Sequence, residues 1–146
     1  MIEQLTEIVN RYHDDNENTA FFSVGEIPSL KLSSSTKFHG VDSGDTVLAL
    51  IARPDSIFGS AAKHGMSITL KGIYWKNDWM CKTSKSSYTW DELQRIYKQI
   101  EIDWGKSGGN MVFEPSVKFD IPWNYSSESL LHLIQTLTEF FAETND

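Results

Sequence analysis

The groups in this chain able to do bond chemistry are four histidines, His13, His39, His64 and His132, one cysteine, Cys81, and twenty carboxylates. Catalysis needs such groups at set spacings. A zinc protease puts two imidazoles one helical turn apart in HExxH, a redox or zinc site uses CxxC, a hydrolase elbow reads GxSxG, and a phosphate loop reads GxxxxGK followed by Ser or Thr. None of these occurs here. Cys81 lies in the Lys-flanked run MCKTSK, where ammonium groups favour the reactive thiolate; the simpler expectation is an incidental thiol at a strand end. His64 follows Lys63 in an apparent turn, and the sequence shows no orienting partner for it, so it reads as an exposed imidazole rather than a base. His39 with Asp42 and Asp45 has the donor types of a metal site, but a Gly-, Ser- and Asp-rich loop is first of all a turn. The expectation is a chain that is not an enzyme and needs no metal or cofactor.

The five tryptophans carry the binding chemistry. Trp75, Trp90, Trp104 and Trp123 fall in or beside strand-like sequence, where an aromatic ring packs in the core or across strands. Trp79 sits instead in the connection KNDWMCKTSK, beside Asp78 and Lys82. A loop tryptophan brings a large apolar area to an interface at small entropic cost, so Trp79 with Asp78 is the expected partner anchor.

Charge is segregated along the chain. Residues 1–30 carry a net −5, residues 31–118 a net +3 and residues 119–146 a net −5, for a total of −7. Bulk binding to nucleic acid or anionic lipid is disfavoured, because both require clustered Lys and Arg against phosphate. Acidic ends suit solubility and also the steering of a basic protein partner, with Asp14, Asp15 and Glu17 at one end and Glu139 and Glu143 at the other as the contacting groups. The longest apolar run, Val47 to Ala52, is far short of the ~20 residues that cross a bilayer. The start, MIEQLTEIVNRYHDD, has acids where a secretion signal has a basic end. With one cysteine and so no internal disulfide, a cytoplasmic location is expected.

These residues must be held by a scaffold, and its elements are readable. Ile2, Leu5, Val9 and Tyr12 recur at helical spacing, predicting an amphipathic helix over 2–13 that the polar run DDNENT ends. Ala20 to Val24 is a short apolar piece, and Ser29 to His39 reads as a weaker helix stopping at Gly40. Strands are predicted near 45–52, 65–70, 72–77, 85–90, 98–104 and 111–121, punctuated by glycines and Pro54. The last two pair as a hairpin through KSGGN. Ile100, Ile102 and Trp104 alternate with Gln99, Glu101 and Asp103, which gives that strand one dry and one wet face. DELQRIY adds a turn of helix after Trp90. Finally, Ser126 or Ser127 caps a helix over 127–143 with Leu130, Leu133, Ile134, Leu137, Phe140 and Phe141 on one face. The result is one domain over 1–146: a helical N-terminal portion (1–40), an antiparallel sheet (45–121) and a packed C-terminal helix, an α+β fold.

The tract SIFGSAAKHGMSITLKGIYWKNDW followed by YTWDEL resembles a segment of small uncharacterised bacterial proteins and the opening hairpins of bacterial PH-like and GRAM-like domains. That resemblance covers roughly residues 47–93 and implies a PH-like half-barrel of about six or seven strands closed by the C-terminal helix. Three function classes follow. The first is a protein-binding module, most sharply an acidic immunity protein or antitoxin that neutralises a basic toxin domain. The second is a PH-like adaptor for a lipid headgroup or peptide, for which Lys63, Lys71 and Lys76 are the nearby cations. The third is a small enzyme with an unfamiliar site.

Overall fold

The computed structural model describes residues 1–12, 21–27, 29–52, 64–77, 81–105, 108–122 and 125–144. The first helix, α1 (Ile2–Asn10), buries Leu5, Ile8 and Val9 and ends in a turn at Arg11 and Tyr12, short of residue 13. The apolar piece after it is a strand, β1 (Phe21–Ser23), which the sequence left unassigned. Helix α2 (Ser29–Ser34) runs on into a π-helical turn (Ser35–His39), and Gly40 in the left-handed region ends it.

Two antiparallel sheets follow from the apolar runs. Strands β2 (Val47–Ala52), β3 (Gly65–Thr69), β4 (Gly72–Lys76) and β5 (Ser87–Thr89) join β1 in a five-stranded sheet in the order β1-β2-β3-β4-β5. Gly72 is required where β4 begins, because a Cβ there would lie 2.0 Å from the Tyr88 carbonyl oxygen. Strands β6 (Glu101–Gly105), β7 (Gly108–Glu114) and β8 (Val117–Asp120) form a three-stranded meander. Two corrections lie here. The stretch 111–121 is two strands, since Pro115 has no N–H to give to a ladder and Ser116 turns the chain with φ 69°. Residues 97–99 are a 3₁₀ turn that finishes helix α3 (Trp90–Ile96), so the strand starts only at Glu101. The α+β class holds; the described residues form eight strands in two sheets, and they do not close a barrel.

The sheets are stitched by polar side chains and an aromatic cluster. Trp75 Nε1 and Asn77 Nδ2 both donate to the Lys118 carbonyl, at 3.1 and 2.7 Å, and the Asp120 and Lys118 amides donate to Asn77 Oδ1 and Thr83 Oγ1. These contacts occupy the outer edge of β8. Beneath them, Trp75 of the larger sheet stacks on Phe113 of the smaller, with centroids 4.9 Å apart, and meets Phe119 edge-on. Helix α4 (Ser127–Thr144), its third amide capped by Ser126 Oγ, covers the core with Leu130, Leu133, Ile134, Leu137 and Phe141 buried. Phe141 stacks on Trp90, and Tyr12 reaches Thr136, so α4 ties α3 and the N-terminal segment to one apolar core. No helix among the described residues is long and apolar enough to cross a membrane.

Candidate functional site

The three chemistry-bearing neighbourhoods separate once the chain is folded. His39 is buried, with Nδ1 2.7 Å from Ser67 Oγ, and Ser67 in turn donates to Ser35 Oγ at 2.8 Å. His39, Ser67 and Ser35 thus form one buried run of hydrogen-bonded side chains. This chain of groups ties the π-helical turn to β3. Ser67 is wholly buried, so its hydroxyl is not placed to meet a substrate. Asp45 accepts from Thr69 Oγ1 at 2.7 Å and from the Thr46 amide at 2.8 Å, while Asp42 lies 4.0 Å from Lys71. The His39, Asp42 and Asp45 donors thus serve different partners, and no group of three metal-ligating side chains stands together among the described residues. Burial, followed by the nearby charges of Asp45 and Asp42, pushes the Tyr74 phenol up.

A polar groove of about 630 Å³ runs between Phe38, His39, Trp75 and the segment Cys81–Ser86. Cys81 is half-buried there with Sγ 3.8 Å from Asn110 Oδ1. The groove carries Lys76, Lys82 and Lys85, but Lys85 Nζ is held 2.7 Å from Glu92 and 4.6 Å over the Tyr88 ring. Asn77 spends its polar atoms on β8, and Thr83 Oγ1 accepts from the Lys118 amide of that strand while donating to the Lys85 carbonyl at 2.6 Å. Much of this surface is therefore structural stitching.

The third neighbourhood is built around Trp104. Alternation predicts this ring on the dry face of its strand, and its face is indeed the core-facing one. It pairs across the ladder with Gly109, and a Cβ on Gly109 would meet Ile102 Cγ2, Trp104 Cζ3 and Ser127 Oγ. What fails is the cover. Helix α4 begins at Ser127, over Gly109, and leaves the neighbouring indole with 69% of its surface exposed. Beside it is a recess of about 290 Å³ lined by Ile121, Pro122, Tyr125 and Glu128. Glu101 and Asp103 are exposed on the opposite face of β6. Across the meander, Asp103, Asn110 and Asp120 stand in one row.

Of the expected partner contacts, Glu139 and Glu143 are exposed on α4. They sit roughly 18–24 Å along the helix from Ser127, at 1.5 Å per residue, and so away from Trp104. Asp14, Asp15, Glu17, Asp78 and Trp79 lie outside the described residues, as do His13 and Trp123. Trp75 and Trp90 are buried as expected; His64 is half-buried and His132 exposed. Trp104 is the residue that sequence reasoning placed wrongly, because alternation reports the face of a strand and is silent on where its covering helix stops. No protein-family model matches this chain, and neither a curated protein nor a solved structure matches it.

Proposed function

We propose that this chain is a non-enzymatic binding module for a basic protein, most sharply an immunity protein or antitoxin that neutralises a basic toxin domain by occupying it. The observation that carries the reading is the exposed Trp104 on the edge strand of the smaller sheet, beside a recess that Glu128 helps to line, with Glu101 and Asp103 exposed on the other face of the same strand. A large aromatic left in water on a strand that also exposes carboxylates has the composition of an interface hot spot with a charged rim. The net charge of −7 supports a basic partner through long-range attraction. The test is capture from the source cell by the immobilised chain, in parallel with Trp104→Ala and with the double variant Glu101→Lys, Asp103→Lys. A basic protein retained by the wild type and lost from both variants is the expected result; equal retention by all three would overturn this reading.

A PH-like adaptor for an anionic headgroup or peptide is the second reading. It is favoured by the groove bearing Lys76 and Lys82 beside hydroxyls of Ser84 and Ser86. Binding to phosphoinositide-containing vesicles that is abolished by Lys76→Glu with Lys82→Glu, and indifferent to Trp104→Ala, would select it over the first.

A further inference from the structure

We infer that β6 is a docking edge to which the partner adds an extended segment of alternating basic and apolar residues, an inference that rests on the basic-protein reading above. Among the described residues β6 has one strand neighbour, β7, and lies at the end of the order β6-β7-β8. The opposite edge of that sheet is filled by Trp75, Asn77 and Thr83. The register shows which groups the open edge offers. Gly109, opposite Trp104, turns its carbonyl toward the Ile121 amide, at 3.1 Å, rather than toward β6, so by alternation Asp103 bonds β7 while Ile102 and Trp104 turn their N–H and C=O groups outward. An added strand would find two residues' worth of backbone donors and acceptors, the arrangement of strand addition.

Side chains then define the occupant. On one face the edge presents Glu101 and Asp103, both exposed, with Asp120 in the row behind, so the facing positions of the added strand suit Lys or Arg. On the other face it presents half-buried Ile102 and exposed Trp104 beside the recess at Ile121 and Tyr125, so the alternate positions suit apolar side chains. A second copy of this chain fits less well, since of the antiparallel registers centred on Ile102, Asp103 and Trp104 only the last, which sets Asp103 against Gly105, avoids opposing two carboxylates. Antiparallel pairing of two β6 strands about Ile102 sets Glu101 against Asp103, and pairing about Asp103 sets that carboxylate against itself, both unfavourable. Carboxylates alone would serve to keep copies apart; an exposed tryptophan on the same strand is not needed for that and supplies the attractive half of the contact.

The probe is the peptide Lys-Val-Lys-Val-Lys-Val-Lys, labelled at its N-terminus and followed by fluorescence anisotropy at low salt. Saturable binding is expected, weakened at least tenfold by Trp104→Ala, by the pair Glu101→Lys and Asp103→Lys, and by methylation of every peptide amide nitrogen. In the complex, hydrogen exchange at the Ile102 and Trp104 amides should slow at least tenfold, while the Asp103 amide, already bonded to β7, changes less. Equal affinity for the fully N-methylated peptide, or unprotected Ile102 and Trp104 amides at saturation, would overturn strand addition and leave the basic-protein reading intact. Absence of peptide binding, while a cellular basic protein is still captured through Trp104, would do the same. Loss of both peptide and cellular capture would sink the basic-protein reading and this inference with it.

Discussion

Tyr88 donates its phenolic proton to Glu114 Oε2 and sets its ring against both Trp75 and Phe113, so one side chain ties the larger sheet to the smaller by a polar and an aromatic contact. Burial, followed by the hydrogen bond to Glu114, pushes its ionisation above the ordinary phenol range near pH ~10. A raised folded-state value means that the folded chain holds this proton more tightly than the unfolded one. The stabilisation is therefore complete below pH ~10 and is lost as the pH rises beyond it. Tyr88→Phe keeps the ring contacts and leaves half-buried Glu114 to water, so it should cost about 1 kcal/mol at pH 8. In urea unfolding at pH 8 and again above pH 10, the gap between wild type and variant should narrow at the higher pH. A gap that stays constant would show that the hydrogen bond does not contribute in this way. At Trp104 the same scale of reasoning gives the opposite sign: a residue with 69% of its surface in water is replaceable for stability, and Trp104→Ala should change unfolding by less than about 0.5 kcal/mol while removing partner binding.

Helix α3 shows what one element owes to its first turn. Thr89 Oγ1 accepts from the Glu92 amide at 3.2 Å and Glu92 Oε1 accepts from the Thr89 amide at 3.0 Å, a reciprocal capping box. Thr89→Ala should lower stability by about 1 kcal/mol with the urea m-value unchanged, since a lost cap alters neither the core nor the surface exposed on unfolding. The hydrogen bond from Lys85 and then that from the Thr89 amide hold the Glu92 carboxyl below its usual range, so its contribution is present above pH ~4.3 and fades as the pH falls through the lower folded value. Glu92→Gln should accordingly differ from wild type at pH 7 and converge with it toward pH 3. These helices were legible because their signals are local: the stripe Leu130, Leu133, Ile134, Leu137 and Phe141 predicts α4, and the step from strand to helix at Trp90 is written in Asp91 to Tyr97. The Pro115–Ser116 turn was written too, but the alternation of Val117, Phe119 and Ile121 masks it in a reading that joins β7 to β8. The candidate site was not legible. Its exposure depends on where α4 starts relative to Gly109, a relation between elements about twenty residues apart that no local pattern carries.

At the scale of the molecule, α4 and the segregated charge make separate predictions. Removing residues 127–146 strips Leu130, Leu133, Ile134, Leu137 and Phe141 from the core and takes the Phe141 ring off Trp90. At roughly 1.5–3 kcal/mol for each buried side chain, that loss exceeds much of a typical net stability of ~5–15 kcal/mol. The truncated chain should lose its cooperative thermal transition, and a sharp melt would show that the core does not depend on the helix. Charge acts instead on encounter. If the net −7 steers a basic partner, its association rate should fall steeply with added salt while dissociation, governed by the packed contact, changes little. Three sets of substitutions locate the steering: Asp14, Asp15 and Glu17 to Lys; Glu139 and Glu143 to Lys; and Glu101 and Asp103 to Lys. The first two sets carry the acidic ends and should reduce the association rate severalfold in at least one case without a change in dissociation. The third touches the proposed edge and should raise the dissociation rate as well, because there the carboxylates face the bound segment. Surface-plasmon traces with the captured partner at 50 and 300 mM salt separate the two behaviours. An association rate that ignores both salt and the terminal substitutions would mean that the acidic ends serve solubility alone, and a dissociation rate unmoved by Glu101→Lys with Asp103→Lys would place the contact away from β6.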